Sequence, residues 1–198
     1  MPWFDEKDWT PKDIPFTGEP GPRFLALLDP NEHPAEWFDV LFDELLLEDI
    51  VMWTNLYAEQ SIASMAEYLA KYKSSRVHAW RPTDVPELKN FFGLLFLTGL
   101  VWKPALEMYW STEDCISTPY FSRTMPRNRF QIICRFLHFS DNREIIDPAK
   151  DPIYKIRPFL NTLLNRFREA YQPTENISID EGMMLWRGRL SFRYGRHL

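Results

Sequence analysis

Between Lys89 and Lys103 the chain is almost without polar residues, and no other stretch restricts the fold so tightly. Phe91, Phe92, Leu94, Leu95, Phe96 and Leu97 leave a helix with almost no polar face. It is therefore predicted to be the central helix around which the others pack. The run from Phe91 to Trp102 falls well short of the ~20 residues that a membrane-spanning helix needs, so it reads as buried within protein. Asp84-Val85-Pro86-Glu87 reads as its N-terminal cap, with Asp84 accepting from the first unpaired N–H groups and Glu87 reaching back. Gly99 reads as the stop, after a helix ending near Thr98.

Amphipathic segments surround this helix. Pro34 opens one that places Trp37, Phe38, Leu41, Phe42, Leu45 and Leu46 on one face. A second helix is expected from about Glu48 to Lys71, and short ones over Pro104 to Trp110 and Pro119 to Arg123. Pro126 opens a stronger helix that buries Phe130, Ile133 and Leu137 and carries Asn128, Gln131, Arg135 and His138 on the opposite stripe. From Pro158, the residues Phe159, Leu160, Leu163, Leu164, Phe167 and Tyr171 make another amphipathic helix, with Arg157, Arg166 and Arg168 outside. Residues 1–30 are acidic and proline-rich without a sustained period, and read as an extended arm. With 198 residues, 45% of them hydrophobic, the chain can bury a core in one or two domains.

A different period begins at Ile177. Ile177 and Ile179 alternate with Ser178 and Asp180, Gly188 supplies a turn, and Leu190, Phe192 and Tyr194 alternate with Ser191 and Arg193. This is a β-hairpin with a carboxylate, Asp180, on its first strand. Phosphoryl chemistry on nucleic acid needs carboxylates fixed on rigid elements around Mg²⁺, and one carboxylate is only part of such a site. The alternative for Asp180 is a strand-edge residue capping a turn.

Charge is unevenly placed. Residues 1–122 hold nine Lys/Arg against twenty Asp/Glu, whereas residues 123–198 hold fourteen against eight. Such polarity fits either a polyanion-binding part or two halves that attract each other. Arg127, Arg129 and Arg135 could meet phosphates or form a solvated face. The N-terminus lacks a basic region followed by an apolar one, so no secretory signal is expected. Cys115 and Cys134 are the only cysteines, and they favour a reduced, intracellular protein without a zinc site.

Several motifs, in order, resemble the piggyBac transposase family: Thr54-Asn55-Leu56-Tyr57-Ala58, Phe91 to Gly99, Tyr109-Trp110-Ser111-Thr112, Arg127-Asn128-Arg129-Phe130, Arg135-Phe136-Leu137-His138-Phe139, Tyr154-Lys155-Ile156-Arg157-Pro158, and Ser178-Ile179-Asp180-Glu181 with Gly188-Arg189. The resemblance covers roughly residues 24–193. It implies a mainly α fold: a helical dimerisation and DNA-binding-like domain over residues 31–175, then the start of an RNase H-like catalytic domain over residues 176–198. It makes Asp180 the first catalytic aspartate and a metal ligand in a complete Mg²⁺ site. The family's two further catalytic aspartates and cysteine-rich tail have no counterpart after Arg193, so the chain reads as truncated and, by itself, not an enzyme. No cofactor is expected in this chain.

DNA-binding candidates are Arg127, Arg129, Arg135, Arg187, Arg189 and Arg193. Expected partners are DNA, and a second copy or a partner transposase-like chain, with no membrane. The resemblance implies a nuclear location, otherwise a cytoplasmic one. The alternative function is a protein–protein interaction module or a non-functional transposase fragment.

Overall fold

The computed structural model of the chain describes residues 15–23, 33–143 and 151–178. They form α1 (Pro34–Leu41), α2 (Glu44–Ser64), α3 (Ala66–Lys71), α4 (Val85–Leu100), α5 (Pro119–Thr124), α6 (Arg127–Phe136) and α7 (Arg157–Ala170), with 3-10 turns at Arg76–Ala79, Leu106–Trp110 and Tyr154–Ile156. Helix α4 packs on α2, which also packs on α6. Their apolar faces meet in a core of Leu46, Leu47, Ile50, Leu88, Phe91, Phe92, Leu94, Phe130 and Ile133, closed by Tyr109, Phe121 and Met125. Ala58, Leu69, Val77, Ile132 and Phe136 form a second cluster beneath α3 and the first 3-10 turn. No described helix is long and apolar enough to cross a membrane.

Helix α4 is central on one face only. Leu88, Phe91, Phe92 and Leu94 are buried, whereas Leu95, Phe96 and Leu100 are exposed, as are Val101 and Trp102 just beyond the helix. Asp84 caps it as expected, its Oδ1 accepting from the Glu87 N–H at 2.8 Å. Gly99 does not stop the helix, which runs to Leu100. The Tyr109 hydroxyl donates to Val101 O at 2.7 Å and reaches Thr98 O at 3.2 Å, so the terminal carbonyls find a partner without a left-handed glycine.

The helix opened by Pro34 also ends sooner than expected, at Leu41. Asp43 Oδ1 accepts from the Leu46 N–H at 2.8 Å and starts α2 at Glu44, four residues before the expected start. Arg166 fixes this break, donating to Leu41 O at 2.7 Å and Asp43 Oδ2 at 2.6 Å. Arg166 is therefore an interior clamp and not one of the outside arginines of α7. Leu164, Phe167 and Tyr171, expected on the buried face of α7, are exposed. Met65 divides the expected Glu48-to-Lys71 helix into α2 and α3.

Residues in the expected N-terminal arm join the helical part. Gly21–Pro22 (β1) pairs antiparallel with Tyr171–Gln172 (β2), and the Arg23 N–H donates to Ala170 O at 2.8 Å. Gly21 adopts φ +125°, a backbone region that favours glycine. This strand pair is not the hairpin expected after Ile177. Ile177, expected on a buried face, is 66% exposed. The rest of that hairpin, with Asp180, Arg187, Arg189 and Arg193, lies outside the described residues.

Candidate nucleic-acid interface

Helix α6 sorts its side chains sharply. Phe130, Ile133 and Phe136 are buried, while Arg127, Asn128 and Arg135 are exposed and Gln131 is half-buried. Asn128, Gln131 and Arg135 fall at i, i+3 and i+7 along one outer stripe. Beside it lies the turn Arg76–Ala79, capped by Ser75 and anchored by Val77, which is 4% exposed. Trp80 packs edge-on against Phe136, with ring centroids 4.9 Å apart. Arg76 is thereby held over the α6 stripe, its Nη1 donating to Gln131 Oε1 at 2.5 Å.

A cleft of about 620 Å³ opens between residues 76–81, the start of α4 and the α5–α6 junction; Arg76, Arg81, Asn90, Asn128 and Arg129 are among its lining residues. A shallow recess lined by Arg76, Asn128, Gln131 and Arg135 continues it along α6. Together the two surfaces carry four arginines against two carboxylates, Asp84 and Glu87.

Arg129 occupies a different place from the one its sequence motif implied. Its side chain is 9% exposed and pairs with Glu87, Nη2 donating to Oε2 at 2.5 Å and Nε to Oε1 at 2.8 Å. Its other donors reach Arg81 O at 2.9 Å and Pro82 O at 3.3 Å, and its guanidinium carbon lies 4.9 Å from the Trp80 ring centroid. Every arm of the guanidinium is used inside the protein, so Arg129 shapes the cleft floor and leaves phosphate contact to its neighbours. Glu87 correspondingly does not reach back to the start of α4. Burial pushes its carboxyl upward, but hydrogen bonds from Arg129 and Thr83 and the charges of Arg129 and Arg81 outweigh that and hold it below its ordinary value. Asn55 completes the joint from α2, exchanging two 2.9 Å hydrogen bonds with the backbone of Thr83.

Arg76 and Arg81 were missed by sequence reasoning. No helical period marks them, and the acidic average over residues 1–122 hides them. The available signal was local: between Glu67 and Asp84 the chain holds Lys71, Lys73, Arg76 and Arg81 and no carboxylate. His138, expected as a surface polar residue, is half-buried and stacks on Tyr57, with centroids 4.0 Å apart. The Mg²⁺ ligand Asp180 lies outside the described residues, and among those residues no three His, Cys, Asp or Glu side chains converge to hold a metal.

A family profile described as Transposase IS4 matches residues 33–195. The chain is 31% identical to human PiggyBac transposable element-derived protein 3 over 156 residues, covering 79% of this chain and 23% of that protein. It is 28% identical to human PiggyBac transposable element-derived protein 2 over 187 residues, covering 92% of this chain and 28% of that one. The chain thus spans about a quarter of these relatives. Its fold is similar to a chain in the cryo-EM structure of a piggyBac transposase synaptic complex with hairpin DNA, with a TM-score of 0.54 at 22% identity, covering 79% of this chain and 30% of that chain.

Proposed function

Because the chain belongs to the IS4/piggyBac-type transposase family, we propose that it is a transposase-derived DNA-binding module whose arginine cleft and α6 stripe seat a duplex backbone. The observation that carries this reading is the continuity of Arg76, Arg81 and Arg135 along one concave surface with Asn128 and Gln131 between them. Phosphate contacts from arginines fix position, and amide side chains on an exposed stripe can address base edges. Glu87 does not oppose this, since Arg129 neutralises it from within. The solved relative's complex contains DNA, which agrees with the proposal. Work on DNA would place the protein in the nucleus.

These 198 residues hold DNA without cutting it. The family reaction that the resemblance implies needs three converging carboxylates to hold paired metal ions. Only Asp180 carries over, and Glu181 beside it would point to the opposite strand face. Binding of random duplex measured by fluorescence anisotropy tests the first part. Wild type should bind, and Arg76→Glu with Arg135→Glu should weaken binding by roughly tenfold or more; equal binding by both would remove the assignment. A strand-cleavage assay with Mg²⁺ tests the second, since activity that Asp180→Ala abolishes would refute it.

A second reading is favoured by the end of α4. Leu100 is 82% exposed, Trp102 78% and Phe96 53%, and an apolar cluster of this kind marks a protein contact. A second copy or another transposase-like chain would cover it. Sedimentation should show concentration-dependent association that Leu100→Asp with Trp102→Asp removes; a monomer at all concentrations would argue against this face.

A further inference from the structure

The geometry points to a stacking platform for unpaired DNA bases on α3, adjoining the arginine face and resting on the DNA-binding reading of that face. Tyr68 and Tyr72, one helical turn apart, are 54% and 45% exposed. Their rings lie tilted against each other with centroids 4.5 Å apart. Large aromatic surface is here directed at solvent while the helix is anchored from beneath by Leu69, which is 7% exposed. The turn after α3 is also fixed: Tyr72 O accepts from the Ser75 N–H at 3.0 Å and lies 3.3 Å from His78 Nε2.

Cations surround the pair. Lys71 Nζ stands 5.5 Å from the Tyr72 ring centroid, and Lys73 and Arg76 follow within four residues. From the other side Arg135 Nη2 contacts Met65 Sδ at 3.6 Å at the start of α3. Glu67 is the only carboxylate of α3. A greasy patch meant for another protein would not need this ring of positive charge. Aromatic faces interleaved with Lys and Arg match the alternating bases and phosphates of a single strand, because every base has a face to stack and every linkage a charge to neutralise. The platform and the arginine face share Arg76 and Arg135, so a strand leaving a duplex seated on α6 would run directly onto the tyrosines.

Anisotropy with three probes tests the assignment: a blunt duplex, the same duplex with a short unpaired tail, and that duplex with an abasic tail. Wild type should bind the tailed duplex about tenfold more tightly than the blunt one, consistent with stacking on aromatic side chains. The abasic tail, which keeps the phosphates, should lose most of the gain. Tyr68→Ala with Tyr72→Ala should abolish the preference and leave blunt-duplex affinity unchanged, whereas Tyr68→Phe with Tyr72→Phe should keep it. Far-UV circular dichroism confirms that both variants retain their helices. Equal binding of blunt and tailed duplexes, or an alanine variant that keeps the preference, would overturn the platform while leaving duplex binding intact. Failure to bind any probe would instead sink the underlying DNA reading, and the platform with it. Loss of the preference accompanied by self-association that the alanines remove would assign the tyrosines to a protein contact.

Discussion

At the scale of single residues, the joint between Glu87 and Arg129 governs both stability and the shape of the cleft. Removing one partner of a largely buried ion pair leaves the other charge without compensation. Glu87→Gln is therefore expected to cost about 3 kcal/mol, read as a lowered denaturant midpoint with an unchanged slope. The pair also sets an acid response. The folded-state pKa of Glu87 lies below its ordinary value of 4.5, so its stabilisation is fully present above that value and is lost as pH falls through the folded pKa. Asp43 acts in the same sense: burial pushes it upward, but its bonds to the Leu46 N–H and to Arg166 hold it below 3.8. Stability should thus fall on acidification below about pH 5, and the gap between wild type and Glu87→Gln should narrow there. A gap independent of pH would refute this role. None of it was legible at Arg129, because the Arg-Asn-Arg-Phe motif identifies a basic residue next to a core phenylalanine but not a carboxylate that lies 42 residues away in sequence.

At the scale of elements, what could be read from the sequence depended on whether a local signal was strong. Asp84 followed by Val85-Pro86 marks the start of α4, and the buried face of α6 follows from Phe130 and Ile133. The boundary at Asp43 was also written locally, but six apolar residues spaced across it continue the same helical period and mask the cap. The pairing of Gly21–Pro22 with Tyr171–Gln172 had no legible signal, since two-residue strands are too short to show a period. For α4, a nearly all-apolar sequence cannot say which side is covered, and packing settles it. Phe91 is 1% exposed and lies 4.8 Å from Phe130 between ring centroids, whereas Leu95 is 40% exposed. Phe91→Ala should therefore cost about 3–5 kcal/mol, and Leu95→Ala should stay within about 1 kcal/mol. Chemical denaturation of the two variants checks this, and equal losses would mean that both faces of α4 are covered in solution.

At the scale of the whole molecule, the acidic first part and basic second part proved too coarse a division. The basic surface is assembled across it, Arg76 and Arg81 coming from the acidic side and Arg127 and Arg135 from the other. The core helices bring them together: α2 packs on both α4 and α6, and the Asn55, Thr83, Glu87 and Arg129 contacts lock the connecting segment in place. If this face seats a DNA backbone, its affinity must follow the release of condensed counterions. The decisive measurement is the affinity for random duplex as salt is raised. Four solvent-accessible arginines, Arg76, Arg81, Arg127 and Arg135, give an expected slope of log K against log salt of about −3.5. Arg76→Glu with Arg135→Glu should make it shallower by about 2, while a wild-type affinity that does not change with salt, or a double variant with the wild-type slope, would contradict the account.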